Sequence, residues 1–132
     1  MAQVPVGAKG EHRLLVTSEM SIDFMGVDGT RVLATPYLVW YLEIAARNAM
    51  LPYLEDGYDS VGTDVTVKHL AATPLGWHVT FKAEVIKVED RRVLCKVEAW
   101  DEKEKVAEGT HERFIVNIDR FASRVQAKAA GQ

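Results

Sequence analysis

The feature that most constrains this chain is a single switch in its hydrophobic period. Thr35-Pro36 followed by YLVWYLEIAARNAMLPYL carries apolar residues at helical spacing. After the acidic turn Glu55-Asp56-Gly57-Tyr58-Asp59 the period drops to two and stays there for the next sixty residues or so. The helix has clear end signals. Thr35 is expected as its N-cap, with the hydroxyl accepting from a free N–H of the first turn. Pro36 suits the first helical position, and Pro52 should end the helix near Leu51. Leu38, Val39, Trp40, Leu42, Ile44, Ala45, Ala46, Ala49 and Met50 fall on nearly every side of the wheel, which predicts a helix wrapped by other structure.

Four strands are predicted after it. The first spans residues 61–70, with Val65 and Val67 alternating with Asp64, Thr66 and Lys68. In the second, Trp77, Val79, Phe81, Ala83 and Val85 alternate with polar residues. The third spans residues 93–100 and the fourth 106–118, with short polar turns between them. Strands so connected pair antiparallel. Ahead of the helix, residues 12–17 read as a short strand and residues 18–34 as a loop or lid, with Met20, Ile22, Phe24 and Met25 as anchors. Residues 1–10 and 120–132 are expected to be peripheral or poorly ordered. With no second long helix to form another layer, the expectation is an α+β fold, an antiparallel sheet wrapped around one long central helix.

Composition narrows the function. A length of 132 residues fits one domain over 1–132, and 48% apolar residues supply a core. A net charge of -3 offers no attraction for nucleic acid. Cys95 is the single cysteine, expected as a small buried hydrophobe. No spacing of His, Asp or Glu suggests a metal site. Neither a secretory leader nor an apolar run long enough to span a membrane is visible, so a cytoplasmic protein is expected.

Four runs stand in register along the chain: VLAT at 32–35, AMLPYLEDG at 49–57, VKHLAATPLG at 67–76 and EGTHERFIV at 108–116. In order and spacing the chain resembles the fluoroacetyl-CoA thioesterase-like branch of the hotdog thioesterases over about residues 10–125. The resemblance implies a hotdog fold, hydrolysis of an acyl-CoA thioester, and no cofactor beyond the CoA of the substrate. It implies a homodimer whose active sites draw on both subunits, and leaves pairing into tetramers open. It further implies Thr35, Glu43 and His69 as the catalytic set, and Arg113 as a structural or CoA-side residue. The family's aromatic lid residues fall where this chain has Gly26 and Gly29, and Pro36 replaces a small glycine. Phe24, Met25 and Pro36 are therefore candidates to line the acyl site, for a short or medium acyl group without tight selection for fluoroacetyl-CoA.

Each residue also has a plainer reading. Thr35 serves a helix start as an N-cap, Glu43 can pair with Arg47 four residues on, and His69 can be a buried structural histidine. Thr35 and Glu43 are eight residues apart, ~12 Å along a helix axis, so contact within one subunit is not expected. Whether Thr35 or Glu43 forms an acyl intermediate, or Glu43 and His69 activate water, stays open. His12 is read as lying near a ragged end, His78 as exposed, and His111 as a minor candidate inside G-T-H-E-R. Lys68, Arg91 and Arg92 join Arg113 as candidates for CoA contacts. The competing functions are an acyl-CoA sensor without turnover and a hotdog hydratase, whose usual Asp–His pair has no equivalent here.

Overall fold

The computed structural model describes residues 3–132. Its strands are β1 (Lys9–Leu15), β2 (Ser21–Ile22), β3 (Val32–Leu33), β4 (Tyr58–His69), β5 (His78–Glu89), β6 (Arg92–Trp100) and β7 (Lys105–Asn117). Its helices are α1 (Thr35–Met50) and α2 (Ile118–Ala129), with single 3₁₀ turns at Ser18–Met20 and Leu51–Tyr53. Five strands form one antiparallel sheet in the order β1-β5-β6-β7-β4, and β2 and β3 form a small separate pair. The α+β expectation therefore holds, with α1 lying across the inner face of the curled sheet, chiefly against β1 and β5.

The period-two pattern explains that packing. Val79, Phe81, Ala83 and Val85 of β5 and Val93, Cys95, Val97 and Ala99 of β6 all point inward and are buried. They meet Leu38, Leu42, Ala45, Ala46, Ala49 and Met50 of α1. The alanines let the helix sit low on the sheet. Gly10 lets it sit lower still, because a Cβ there would collide with the backbone of Ala45 and Ala49. On the outer face, cross-strand neighbours alternate in charge: Lys9, Glu84 and Lys96 along one row, Glu11, Lys82 and Glu98 along the next.

Several expectations are corrected. The strand ends lie within four residues of the alternation limits, furthest at the end of β5 and the start of β4, where pairing runs on to Glu89↔Arg92 and Tyr58↔Asn117. The N-terminal segment is not peripheral: Val4 is buried in the core, and Gly7 and Ala8 exchange backbone hydrogen bonds with Val85. Residues 1–2 lie outside the described residues. His12 sits within β1 and stacks on Tyr41, ring centroids 5.2 Å apart, rather than at a ragged end. Nor is α1 wrapped on all sides within one chain. Thr35, Pro36, Tyr37 and Trp40 form an open stripe, with Trp40 54% exposed.

A β-bulge shapes β4. Gly62 pairs with Arg113 and Asp64 with Glu112, so Thr63 is an extra residue on the strand. Upstream of it Ser60 and Gly62 carry the inward parity, and downstream Val65, Val67 and His69 do. One inserted residue thus brings both ends of the strand to the same face of the sheet.

Candidate active site

The first cluster joins the start of α1 to the end of β4. Thr35 Oγ1 lies 2.8 Å from His69 Nδ1. Thr35 is not the N-cap: Ala34 holds that position in extended conformation and no side chain caps the helix. The hydroxyl is directed at the ring instead. Backbone stitching sets this up, since Leu33 N–H donates to Thr73 O and Val32 bridges to Pro74. Thr73, fully buried, in turn donates its hydroxyl to Asp101 Oδ2 at 3.0 Å. The A-A-T-P run after His69 is thus the strap that holds the Thr35 and His69 side chains together. Burial pushes the His69 pKa below its ordinary value, opposed by the backbone at Ala71. Its ring is therefore neutral at neutral pH, and Nε2 is buried without a hydrogen-bond partner.

The second cluster surrounds Glu43, further along α1. Its Oε1 lies 3.3 Å from His111 Nε2 and 3.9 Å from Arg113 Nη1. Both partners come from β7, two residues apart and on its inward face, and they are only 2% and 3% exposed. Arg113 donates from Nε to Ser60 Oγ and from Nη2 to Ser60 O, each at 2.7 Å. Arg47 does not pair with Glu43; it forms a two-point ion pair with Asp59, at 3.0 and 2.7 Å. That pairing holds the Asp59 carboxyl below its usual range. A recess of about 420 Å³ opens beside Glu43, lined by Gly62, Thr63, Asp64, Val65 and His111. Among the described residues no hydrogen bond joins Thr35 to Glu43, as the helix spacing predicts.

Gly62 is part of this arrangement. A Cβ there would stand 2.7 Å from Glu43 Oε1 and 3.2 Å from His111 Cε1. Because the obstructing atom ends a flexible side chain, Gly62→Ala is expected to swing the carboxylate aside at little cost in stability. The expected result is about a 10–100-fold loss in kcat with a Tm change under about 3 °C. Steady-state kinetics beside a thermal melt would check it.

The other expected residues fall as follows. Phe24 and Met25 project from the β2–β3 loop, Phe24 88% exposed, and cover neither cluster within one chain. Pro36 lines a shallow recess of about 230 Å³ with Tyr37 and Trp40. Arg113 is buried under Glu43, which removes it from the surface cations available to CoA. His111, Gly62 and Ser60 are the residues that sequence reasoning missed or undervalued. The parity of β7, which places His111 and Arg113 on the face of buried Ile115, is the signal that would have found the histidine. Among the described residues no group of three or more His, Cys, Asp or Glu side chains is arranged to hold a metal ion. No helix there is long and apolar enough to cross a membrane.

Comparison with known proteins identifies relatives that span most of the chain. Residues 16–119 match the family described as fluoroacetyl-CoA-specific thioesterase. The fluoroacetyl-CoA thioesterase of Streptantibioticus cattleyicolor is 43% identical over 97 residues, 74% of this chain and 70% of that protein. A solved fluoroacetyl-CoA thioesterase structure superposes with a TM-score of 0.84 at 35% identity, covering 96% of this chain and 98% of the other. A thioesterase superfamily member from Thermus thermophilus gives 0.86 at 29% identity over the whole of both chains. With the match covering most of its length, the chain belongs to the fluoroacetyl-CoA-specific thioesterase family and is a hotdog-fold hydrolase of acyl-CoA thioesters.

Proposed function

We propose that the chain acts as a single-domain cytoplasmic homodimer on a short or medium acyl-CoA, with Thr35, His69 and Glu43 as the reacting groups and no cofactor beyond the substrate's CoA. The observation that carries this reading is the 2.8 Å contact between Thr35 Oγ1 and His69 Nδ1 at a hydroxyl that does no capping work. A neutral ring with no hydrogen on Nδ1 takes the threonine proton as Oγ attacks the thioester carbonyl. The C–S bond breaks, and the CoA thiolate leaves with that proton. Water then attacks the ester, giving its proton to a base and its hydroxyl to the acyl group, and Thr35 recovers its hydrogen. In the first turn of α1 Pro36 has no N–H and those of Tyr37 and Leu38 donate to Ala34 O, which leaves the Thr35 N–H as the backbone donor for the oxyanion.

Glu43 is too far along α1 to share one carbonyl with Thr35 of the same subunit. Pairing of two chains would let both residues reach one substrate. The open stripe of α1, exposed Val65 on the inner face and the free edge of β4 are the surfaces such a pairing would cover. A second reading, direct attack by water activated at Glu43, is favoured by the recess beside its carboxylate. A quench with mass spectrometry separates them: an acyl ester on Thr35 supports the first, and its absence during turnover supports the second.

The exposed lid, with Gly26 and Gly29 both at positive φ, favours breadth over selection for fluoroacetyl-CoA. The test is release of free CoA across a panel from acetyl to octanoyl, fluoroacetyl included, with the mass of the active species measured in solution. Binding without release would instead mark a sensor, and hydration of crotonyl-CoA without release a hydratase.

The pH dependence follows from His69. Because burial lowers its pKa, kcat/KM should hold a plateau at neutral pH and fall only below ~6.5, the ordinary histidine value. An acid limb centred at or above that value would count against His69 as the base. Folding is linked to the same shifts, since His111 is lowered too, first by burial and then by Arg113. The unfolded chain binds protons from ~6.5 downward while the folded chain resists until lower pH, so Tm should drop as pH falls below ~6.5.

A further inference from the structure

We infer that His111 is the positioning residue for Glu43: a buried imidazole whose Nε2–H holds one carboxylate oxygen and leaves the other free toward the recess. The inference rests on the reading that Glu43 reacts, and extends it to a residue that touches no substrate.

Four observations carry it. The contact at 3.3 Å is made by a ring only 2% exposed, on a strand that turns Arg113 and Ile115 inward on the same face. A carboxylate only accepts, so the bonding tautomer carries its hydrogen on Nε2. That tautomer leaves Nδ1 buried with no partner, a cost that a leucine in the same space would not carry. Finally, Oε1 is boxed between His111, Arg113 and the bare Cα of Gly62, whereas among the described residues nothing bonds Oε2.

The groups facing the ring keep it in this role. Glu43 approaches from α1, Arg113 lies beside it on β7, Cys95 and Val65 stand across from it on β6 and β4, and the Arg47–Asp59 pair lies beyond Arg113. Burial and the guanidinium both disfavour a charged ring and outweigh the carboxylate. His111 is therefore a neutral donor and not a counter-ion to Glu43. It fixes direction without quenching the charge that Glu43 needs to react.

The test is a kinetic series on the full chain with an acyl-CoA substrate. His111→Ala should lower kcat about 10–100-fold with KM changed less than about threefold. His111→Gln, whose amide nitrogen reaches the place of Nε2, should recover most of that loss, whereas His111→Asn, which mimics Nδ1, should not. In a Glu43→Ala background His111→Ala should cost nothing more. Wild-type kcat in His111→Ala beside an inactive Glu43→Ala would overturn the positioning role alone. Wild-type activity in Glu43→Ala would overturn the reading beneath it. If His111→Ala does not fold, equal rates for the Gln and Asn variants overturn the proposal. So does a ring ¹⁵N spectrum of the unaltered protein showing Nδ1 protonated at neutral pH.

Discussion

Thr35→Ala is expected to lower kcat for acyl-CoA hydrolysis by about 10²–10⁴-fold, while Thr35→Ser keeps most of the wild-type rate. Stability makes this prediction sharp. A threonine acting as an N-cap would cost about 1 kcal/mol on removal, and its loss would leave catalysis alone. Here Ala34 occupies the N-cap and the Thr35 hydroxyl meets His69 Nδ1. The thermal melt of Thr35→Ala should therefore stay close to wild type as activity collapses. His69→Ala should show a loss of similar size, and the double variant should be little worse than the more damaged single, because the two act as one unit. Additive losses would mean that the 2.8 Å contact is incidental.

The largest effect on stability is expected from Gly10→Ala. Its new methyl would meet the Ala45 carbonyl oxygen and the Ala49 amide, backbone atoms inside a helix. No rotamer change relieves that, so α1 has to lift from β1 and loosen Leu38, Leu42 and Phe81 beneath it. A loss of about 3 kcal/mol, the upper range for overpacking, follows, with a fall in Tm of about 10 °C. The contrast with Gly62→Ala is the informative part. There the obstacle is a movable carboxylate, and the damage should appear in kcat rather than in Tm. A Gly10→Ala protein melting with the wild type would show that the helix is not seated this closely.

The fold was readable because the two periodicities occupy separate stretches, one long helix and then four strands ahead of the C-terminal α2. Reading failed wherever a partner came from far along the chain. Thr35 has a perfect cap context, and only His69, 34 residues away, diverts its hydroxyl. Glu43 and Arg47 have ideal helix spacing, yet Asp59 claims the arginine. His111 carried a usable signal in strand parity that a motif-centred reading passed over. The apolar belt of α1 was visible in full, but a sequence does not say whether its cover comes from the same chain or from a second copy. Val4 and Val6 flank Pro5, and no periodicity marks Val4 rather than exposed Val6 as core.

The bulge at Thr63 has a consequence for how such a chain can change over generations. Gly62 and Ser60 serve Glu43 in one phase of β4, and His69 serves Thr35 in the other. Substitutions can tune either half separately. A deletion of one residue between Gly62 and His69 leaves them together, since loss of the extra bulge residue still sets Gly62 opposite Arg113 and His69 opposite Ala107 on one face. The bulge thus acts as a store of one spare residue, and the change β4 cannot absorb is one that keeps the bulge while altering the count beyond it, which turns His69 away from the face of Gly62.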